Sequence, residues 1–552
     1  MITRRHTIDH SSVSACRLAR TRSNLCRIGC CVVSAIAAVS ATRTSPAPAA
    51  LWISEQEDGT FHNPILFADY SDPDVVRVGQ DFYMTASSFN CVPGLPILHS
   101  RDLINWRIIG HAVDRLPPRF NTVQHGNGLW APSIRHHDGY YWIFVGDPDW
   151  GILMTRTKDP AGPWEPLHVV REGKGLIDPC PLWDDEGKAY LVHALAKSRA
   201  GRNSILVAYE MSPDGRHLIG EEHLVIDGRN GAHPTIEGPK FYKRDGWYYL
   251  FAPAGGVKPG WQLAARAKQP FGPYEVRRVL EQGSTNINGP HQGGWVELDN
   301  GENWFVHFQD RGAYGRVVHL NPMRWVDGWP VMGVDLDKNG VGEPVVVYKK
   351  PDVGSDQSAD DLQCSDAFDG NVGLQWQWYG NPSPDWGSLT ARPGWLRLRS
   401  VEPRAGDLTT VTNQLLQKFP APSFTATTKL ELARGDGDAR AGLVVVGLKH
   451  AGILVVQDGD SYQIEQVSNE VEGPDGEDVV HGTVRNVQRP VWLRVDIEAD
   501  AVCRFSYSTD GGTFTRLGEP FEATPGRWIG AKVGIVCLGN SAYADFDSFR
   551  IE

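Results

Sequence analysis

Three acids recur at matched places in the first part of the chain: Asp72 in SDPDVVRVG, Asp178 in IDPCPLW and Glu237 in IEGPKFY. Each heads a short apolar or β-branched run of the kind that forms a strand. Carboxylates brought into one pocket repel one another, and the repulsion raises the pKa of at least one. A raised carboxyl serves as a general acid and an ionised one as a general base. Glycoside hydrolysis uses such a pair. The plainer reading is that each acid only caps a turn before Pro or Gly. Three acids in register argue against it.

The register comes from an internal repeat. Five segments resemble one another: DPDVVRVGQDFYMTASSF from residue 72, WAPSIRHHDGYYWIFVGDP from 130, DPCPLWDDEGKAYLVHA from 178, EGPKFYKRDGWYYLFAPAGG from 237 and HQGGWVELDNGENWFVHFQ from 291. Their starts are 58, 48, 59 and 54 residues apart. Each reads as a strand, a turn bearing Asp or Gly, and an aromatic-rich strand. Further strand–turn–strand runs follow at 99–113, 155–170, 209–225 and 265–280. Four strands at a period near 50 make a propeller blade, so an all-β, five-bladed β-propeller is expected. FHNPIL (61–66) is expected to close the ring by giving a strand to the last blade.

Innermost strands of a propeller start together at one mouth. Asp72 lies ten residues before Phe82, Trp130 ten before Tyr140 and Glu237 ten before Trp247. Asp178 and His291 hold the matching place in repeats with longer turns. This alignment gathers Asp72, Trp130, Asp178, Glu237 and His291 at one funnel. It prefers Asp72 to Asp74, which falls opposite Pro132 and Pro239. Trp130 reads equally as core or as a sugar platform, and Phe89, which ends the first repeat, is placed with it as a substrate contact. His291, in GPHQGGW, suits an ion ligand, an orienting partner for a carboxylate, or a channel plug; no second metal ligand accompanies it. Arg311, in FQDRGAYGR, either reaches over the mouth to an acid or a sugar hydroxyl or lies on the surface.

At these residues the chain resembles glycoside hydrolase family 43. The resemblance rests on YSDPDVVRVGQDFYM, NGLWAPSIRHHDGYYWIF, GLIDPCPLWDDEGKAYLVHA, TIEGPKFYKRDGWYYLFAPAGG and HQGGWVELDNGENWFVHFQDRG, and runs from 61 to about 335. It implies a five-bladed propeller that hydrolyses with inversion. It also implies roles: Asp72 as general base, Glu237 as general acid, and Asp178 as the acid that orients Glu237 and tunes its proton affinity. His291 matches a central histidine associated with calcium or a water cluster, and Arg311 a substrate-contacting arginine. No cofactor is required; a structural calcium near His291 is the one ion implied. Substrates implied are β-1,4-xylosides and α-L-arabinofuranosides of plant cell walls. The rivals are an endo-acting arabinanase and a carbohydrate-binding propeller without catalysis.

After a polar linker (346–363) the pattern changes to alternating strands separated by Gly, Pro and Asp, as in LQWQWYGNP, WGSLTARPGWLRLRS and AGLVVVGL. They fit a C-terminal β-sandwich over 364–552 behind a propeller over 51–345. Such a sandwich resembles that of the family's exo-acting members, where one of its loops covers the funnel; the sequence does not locate that loop. A formal charge of −12 gives a nucleic-acid partner no electrostatic support. Residues 1–50 look like an export leader, with Arg17, Arg20, Arg22 and Arg27 before the apolar run 28–41. That run is too short to span a bilayer comfortably. Five widely spread cysteines beyond the leader, without CxxC spacing, suggest buried free thiols. Oligomeric state is not legible.

Overall fold

Five four-stranded antiparallel sheets follow one another in chain order, over 74–113, 130–172, 176–227, 240–280 and 291–332. They form the expected five-bladed propeller. The structure is a computed structural model that describes residues 51–354, 362–403, 408–472 and 476–552; the leader expected over 1–50 lies outside them. Two-residue turns close the first hairpins of the first, second and fourth blades. Asp138-Gly139 and Asp245-Gly246 both take positive φ, the backbone whose twist matches paired strands. The ring closes more sparingly than expected. Leu66 makes a single bridge to Val318 in the fifth blade, and Asn63 bonds the backbone of Leu320 and Val345. Thr60–His62 pairs instead with Val347–Lys349, inside the stretch read as linker.

Strand pairing corrects the alignment of the repeats. Asp74 pairs with Thr85, Ser133 with Phe144, Cys180 with Val192, Lys240 with Phe251 and Gly294 with Val306. At the turns, Asp81 stands where Tyr140 and Trp247 stand. Matching Phe82 to those aromatics is therefore one residue out. Asp74 is equivalent to Ser133 and Lys240, not to Pro132 and Pro239. Asp72 and Asp178 are true equivalents, and Trp130, Glu237 and His291 lie one residue earlier in their blades.

The equivalent positions meet on the propeller axis. Asp74 is wholly buried and accepts from Arg135 Nη1 at 2.6 Å and from the Ile134 amide at 2.9 Å. Lys240 Nζ lies 3.8 Å from the same carboxylate and donates to Pro132 O at 2.8 Å and Ser133 Oγ at 3.0 Å. Arg135 Nη2 reaches Cys180 Sγ at 2.9 Å. A Cβ on Gly294 would stand 2.6 Å from Asp74 Oδ1, so the fifth blade completes the plug only with glycine. Asp74 and Arg135 together thus link five strands, and Asp72 opens the mouth two residues before Asp74.

The C-terminal region is a sandwich of a seven-stranded and an eight-stranded sheet. Val491–Ile497 shows the cause in its strict alternation of buried and half-buried residues. Propeller and sandwich belong to one compact unit. Val92 and Trp378 exchange backbone hydrogen bonds across the join. Phe89 and Cys91 of the propeller share an apolar core with Tyr379, Leu416, Val444 and Ile529 of the sandwich. Among the described residues, no helix is long and apolar enough to cross a membrane.

Removing Asp74 strands two buried cations. Asp74→Ala is expected to cost about 3–5 kcal/mol, read as an earlier urea midpoint of propeller unfolding. An unchanged midpoint would show that the plug is not what holds the blades.

Candidate active site

At the mouth, backbone shape and chemistry coincide. Asp72 and Asp178 both adopt left-handed backbone, φ 54° and 56°, and in the other blades the equivalent Ala131, Gly238 and Gln292 do the same. Asp tolerates this region better than most residues. The kink ends regular pairing, with register shifts at 130–133, 177–180 and 291–293, and turns side chains from the sheet face toward the opening.

Each hydrogen-bond partner of the Asp72 carboxylate among the described residues donates to it. Ser71 Oγ and Ser87 Oγ bond Oδ2 at 2.8 and 2.6 Å, and Arg316 Nη1 bonds Oδ1 at 2.9 Å. Arg316 also holds Ser71 Oγ at 2.7 Å. Ser87 accepts from the Ala131 amide at 2.7 Å, so one hydroxyl ties Asp72 to the strand that carries Trp130.

Asp178 and Glu237 stand side by side. Asp178 Oδ2 accepts from the amide of Gly238 at 2.8 Å. Burial pushes the Asp178 carboxyl well above the usual range, and repulsion from Glu237 and then from Asp72 pushes the same way. Lys240, beneath in the plug, pulls back weakly. The Glu237 side chain is one-third exposed and meets His291 Nε2 at 3.1 Å. The structure therefore brings Asp72, Asp178, Glu237 and His291 into one neighbourhood, with a buried acid between two others. That arrangement can hold a proton on the Asp178–Glu237 side while Asp72 presents acceptor oxygens.

His291 is buried, and its Nδ1 has no protein partner. One ring nitrogen does not make a calcium site, which takes six to eight oxygens. Among the described residues, no three His, Cys, Asp or Glu side chains are grouped to hold a metal. What the geometry gives His291 is a carboxylate partner, Glu237, on its Nε2.

Two expectations fail. Arg311 is exposed at the end of its strand, with its guanidinium 5.8 Å from the Phe67 ring; Arg316, five residues on, is the arginine on Asp72. The Gly312–Tyr314 turn reverses the chain, so the residue that re-enters the sheet points inward. Phe89 is only 2% exposed and lies in the core shared with the sandwich, 6.3 Å from Trp130. It backs Trp130 and does not face the opening. Trp130 is half-buried, anchored by Nε1 to Gly126 O at 2.8 Å.

One loop of the sandwich, 523–531, reaches the propeller beside Trp130. It sets Trp528 edge-on to Trp130 at 6.1 Å. Its anchor is Asp69, a buried carboxylate that accepts from the Gly530 amide with Oδ2 and from the Arg316 amide with Oδ1, both at 2.9 Å. One side chain thus fixes the loop and the arginine on Asp72. A sequence signal for Asp69 exists only in hindsight, as the first acid of DYSD.

Known proteins match both domains. The model for glycosyl hydrolases family 43 covers residues 61–330, and that for the β-xylosidase C-terminal concanavalin A-like domain covers 365–552. A protein of Xylanibacter ruminicola named putative beta-xylosidase is 41% identical over 88% of this chain and 87% of its own. The non-reducing end alpha-L-arabinofuranosidase BoGH43B of Bacteroides ovatus is 33% identical over 70% and 73%. The crystal structure of the GH43 protein BlXynB from Bacillus licheniformis superposes with a TM-score of 0.77 at 27% identity, over 89% of this chain and 99% of that one. With acids gathered at a propeller mouth and both domains matched, the chain belongs to glycoside hydrolase family 43.

Proposed function

We propose that the enzyme releases single terminal pentoses, β-1,4-linked D-xylose or α-L-arabinofuranose, from plant cell-wall oligosaccharides by one inverting displacement. The observation that carries this reading is the buried Asp178 set between Glu237 and an Asp72 held by Arg316 and two serines. Asp72 takes a proton from water as the water attacks the anomeric carbon. Glu237 gives its proton to the leaving oxygen. Asp178, bonded to the Gly238 amide, fixes the backbone that carries Glu237, and His291 aims the Glu237 carboxyl. The step draws on no cofactor. Two features support exo action: the sandwich loop narrows the mouth with Trp528, and the full-length relatives bear the names β-xylosidase and arabinofuranosidase.

Proton NMR during hydrolysis of xylobiose tests the displacement. The first-formed xylose should be the α-anomer; a β-anomer contradicts the mechanism.

Glu237→Gln should lower kcat/KM on oligosaccharides by about 10²–10⁴ and much less on aryl glycosides, whose leaving groups need little protonation. Equal losses on both would remove Glu237 from the acid role.

Asp178 supplies a pH test. A carboxyl raised in the folded state binds protons more tightly than in the unfolded chain. Its contribution to stability is complete below the ordinary aspartate range and lost as pH rises through the raised value. Asp178→Asn should therefore raise Tm at pH 7 more than at pH 4. A Tm gain independent of pH would contradict the assignment.

A further inference from the structure

A cavity of about 320 Å³ opens beside Arg316, between the propeller and the sandwich loop. Its walls include Val257 and Lys258 after the fourth blade's second strand, Asp310 at the end of the fifth blade's second strand, and Arg527 and Trp528 of the sandwich. The reaction derived above takes place at Asp72 and Glu237, which do not line this cavity. Three observations bear on what it holds.

The first is position. The Glu237 amide donates to Pro253 O and the Gly255 amide to Pro234 O. The loop that carries Lys258 therefore runs beside the segment that carries Glu237, the side on which the leaving sugar departs. The second is a platform. Trp528 is the one aromatic among the described residues' exposed large hydrophobic side chains, 45% accessible, and it is held at φ 68°. A non-glycine residue is held in that region at a cost, and here the conformation displays an indole at a cavity wall. The third is charge. Arg527 is exposed, and among the described residues no carboxylate pairs with it. Lys258 is 70% exposed and lies 3.8 Å from Asp310 at its nearest. In a chain of formal charge −12, this wall carries two under-used cations next to a half-exposed indole, with the Arg527 guanidinium 5.9 Å from the Trp528 ring centroid.

We propose that the cavity is a subsite for the sugar on the leaving side of the scissile bond and that it accepts a residue substituted with a uronic acid. The pyranose ring lies on Trp528, and the carboxylate lies between Arg527 and Lys258. The proposal rests on the hydrolytic reading above and deepens it: the preferred substrates are acidic branched pentosyl oligosaccharides, with the neutral terminal pentose as the part released.

The test is calorimetric and does not depend on turnover. The probes are a disaccharide of a hexuronic acid linked to xylose and the same disaccharide with its carboxylate reduced to the alcohol. The wild-type enzyme should bind the acidic probe about tenfold more tightly, a difference of about 1.4 kcal/mol, and the preference should shrink at high salt. Arg527→Gln should abolish most of it. Lys258→Gln, on a side chain too exposed to matter for folding, should reduce it. Equal affinity for the two probes, or a preference that both variants retain, overturns the proposal. Failure of the hydrolytic reading shows separately, as wild-type enzyme that leaves neutral xylobiose intact.

Discussion

A buried carboxylate at the propeller axis fixes the geometry of everything above it. Asp74 is bonded by Arg135, which also reaches Cys180, with Lys240 close by and Gly294 leaving room, so side chains of four blades and the backbone of the fifth converge on one point. Breaking such a pair is far more costly than the pair is worth in itself, because the stranded charges remain in a low-dielectric interior. The mouth lies two residues upstream on each inner strand. The plug brings the two elements bearing Asp72 and Asp178 to the same height and keeps a cation beneath an acidic opening. Lys240 tempers the repulsion on Asp178 without cancelling it. The acids are held together by a structure that does not itself depend on their charge.

The second constraint joins the domains. Asp69 satisfies one amide of the strand that begins with Arg316 and one amide of the sandwich loop that carries Trp528. Ala531 and Tyr314 add further bonds across the same seam. The C-terminal sandwich is therefore part of the site's wall, and its registry with Arg316 is set by a single carboxylate. Phe89 contributes from beneath, filling the shared core behind Trp130.

The fold was largely legible because each blade repeats its turn chemistry: Asp-Gly at two hairpins, and an aromatic strand after every turn. The exact register was not. Aromatic residues mark the second strand of a blade but not its first position, and Asp81 stands where two other blades have Tyr140 and Trp247. The left-handed kinks at the mouth absorb the one-residue difference, which is why Glu237 and Asp178 still meet although they are not equivalents. The arginine was misplaced for a related reason. Arg311 and Arg316 are five residues apart around a tight turn, and only the geometry of that turn decides which one points inward. Phe89 and the 523–531 loop depend on contacts between domains, and local pattern carries no trace of those.

The central claim is that Asp72, held by Arg316 and two serines, activates the water that attacks a terminal pentose. Initial rates of wild-type and Asp72→Asn enzyme on nitrophenyl β-D-xylopyranoside and α-L-arabinofuranoside, measured side by side, test it most directly. The account predicts turnover of at least one substrate by the wild type and a loss of about 10³-fold or more in the variant, with the fold intact by circular dichroism. A variant that retains most of the wild-type rate would contradict it.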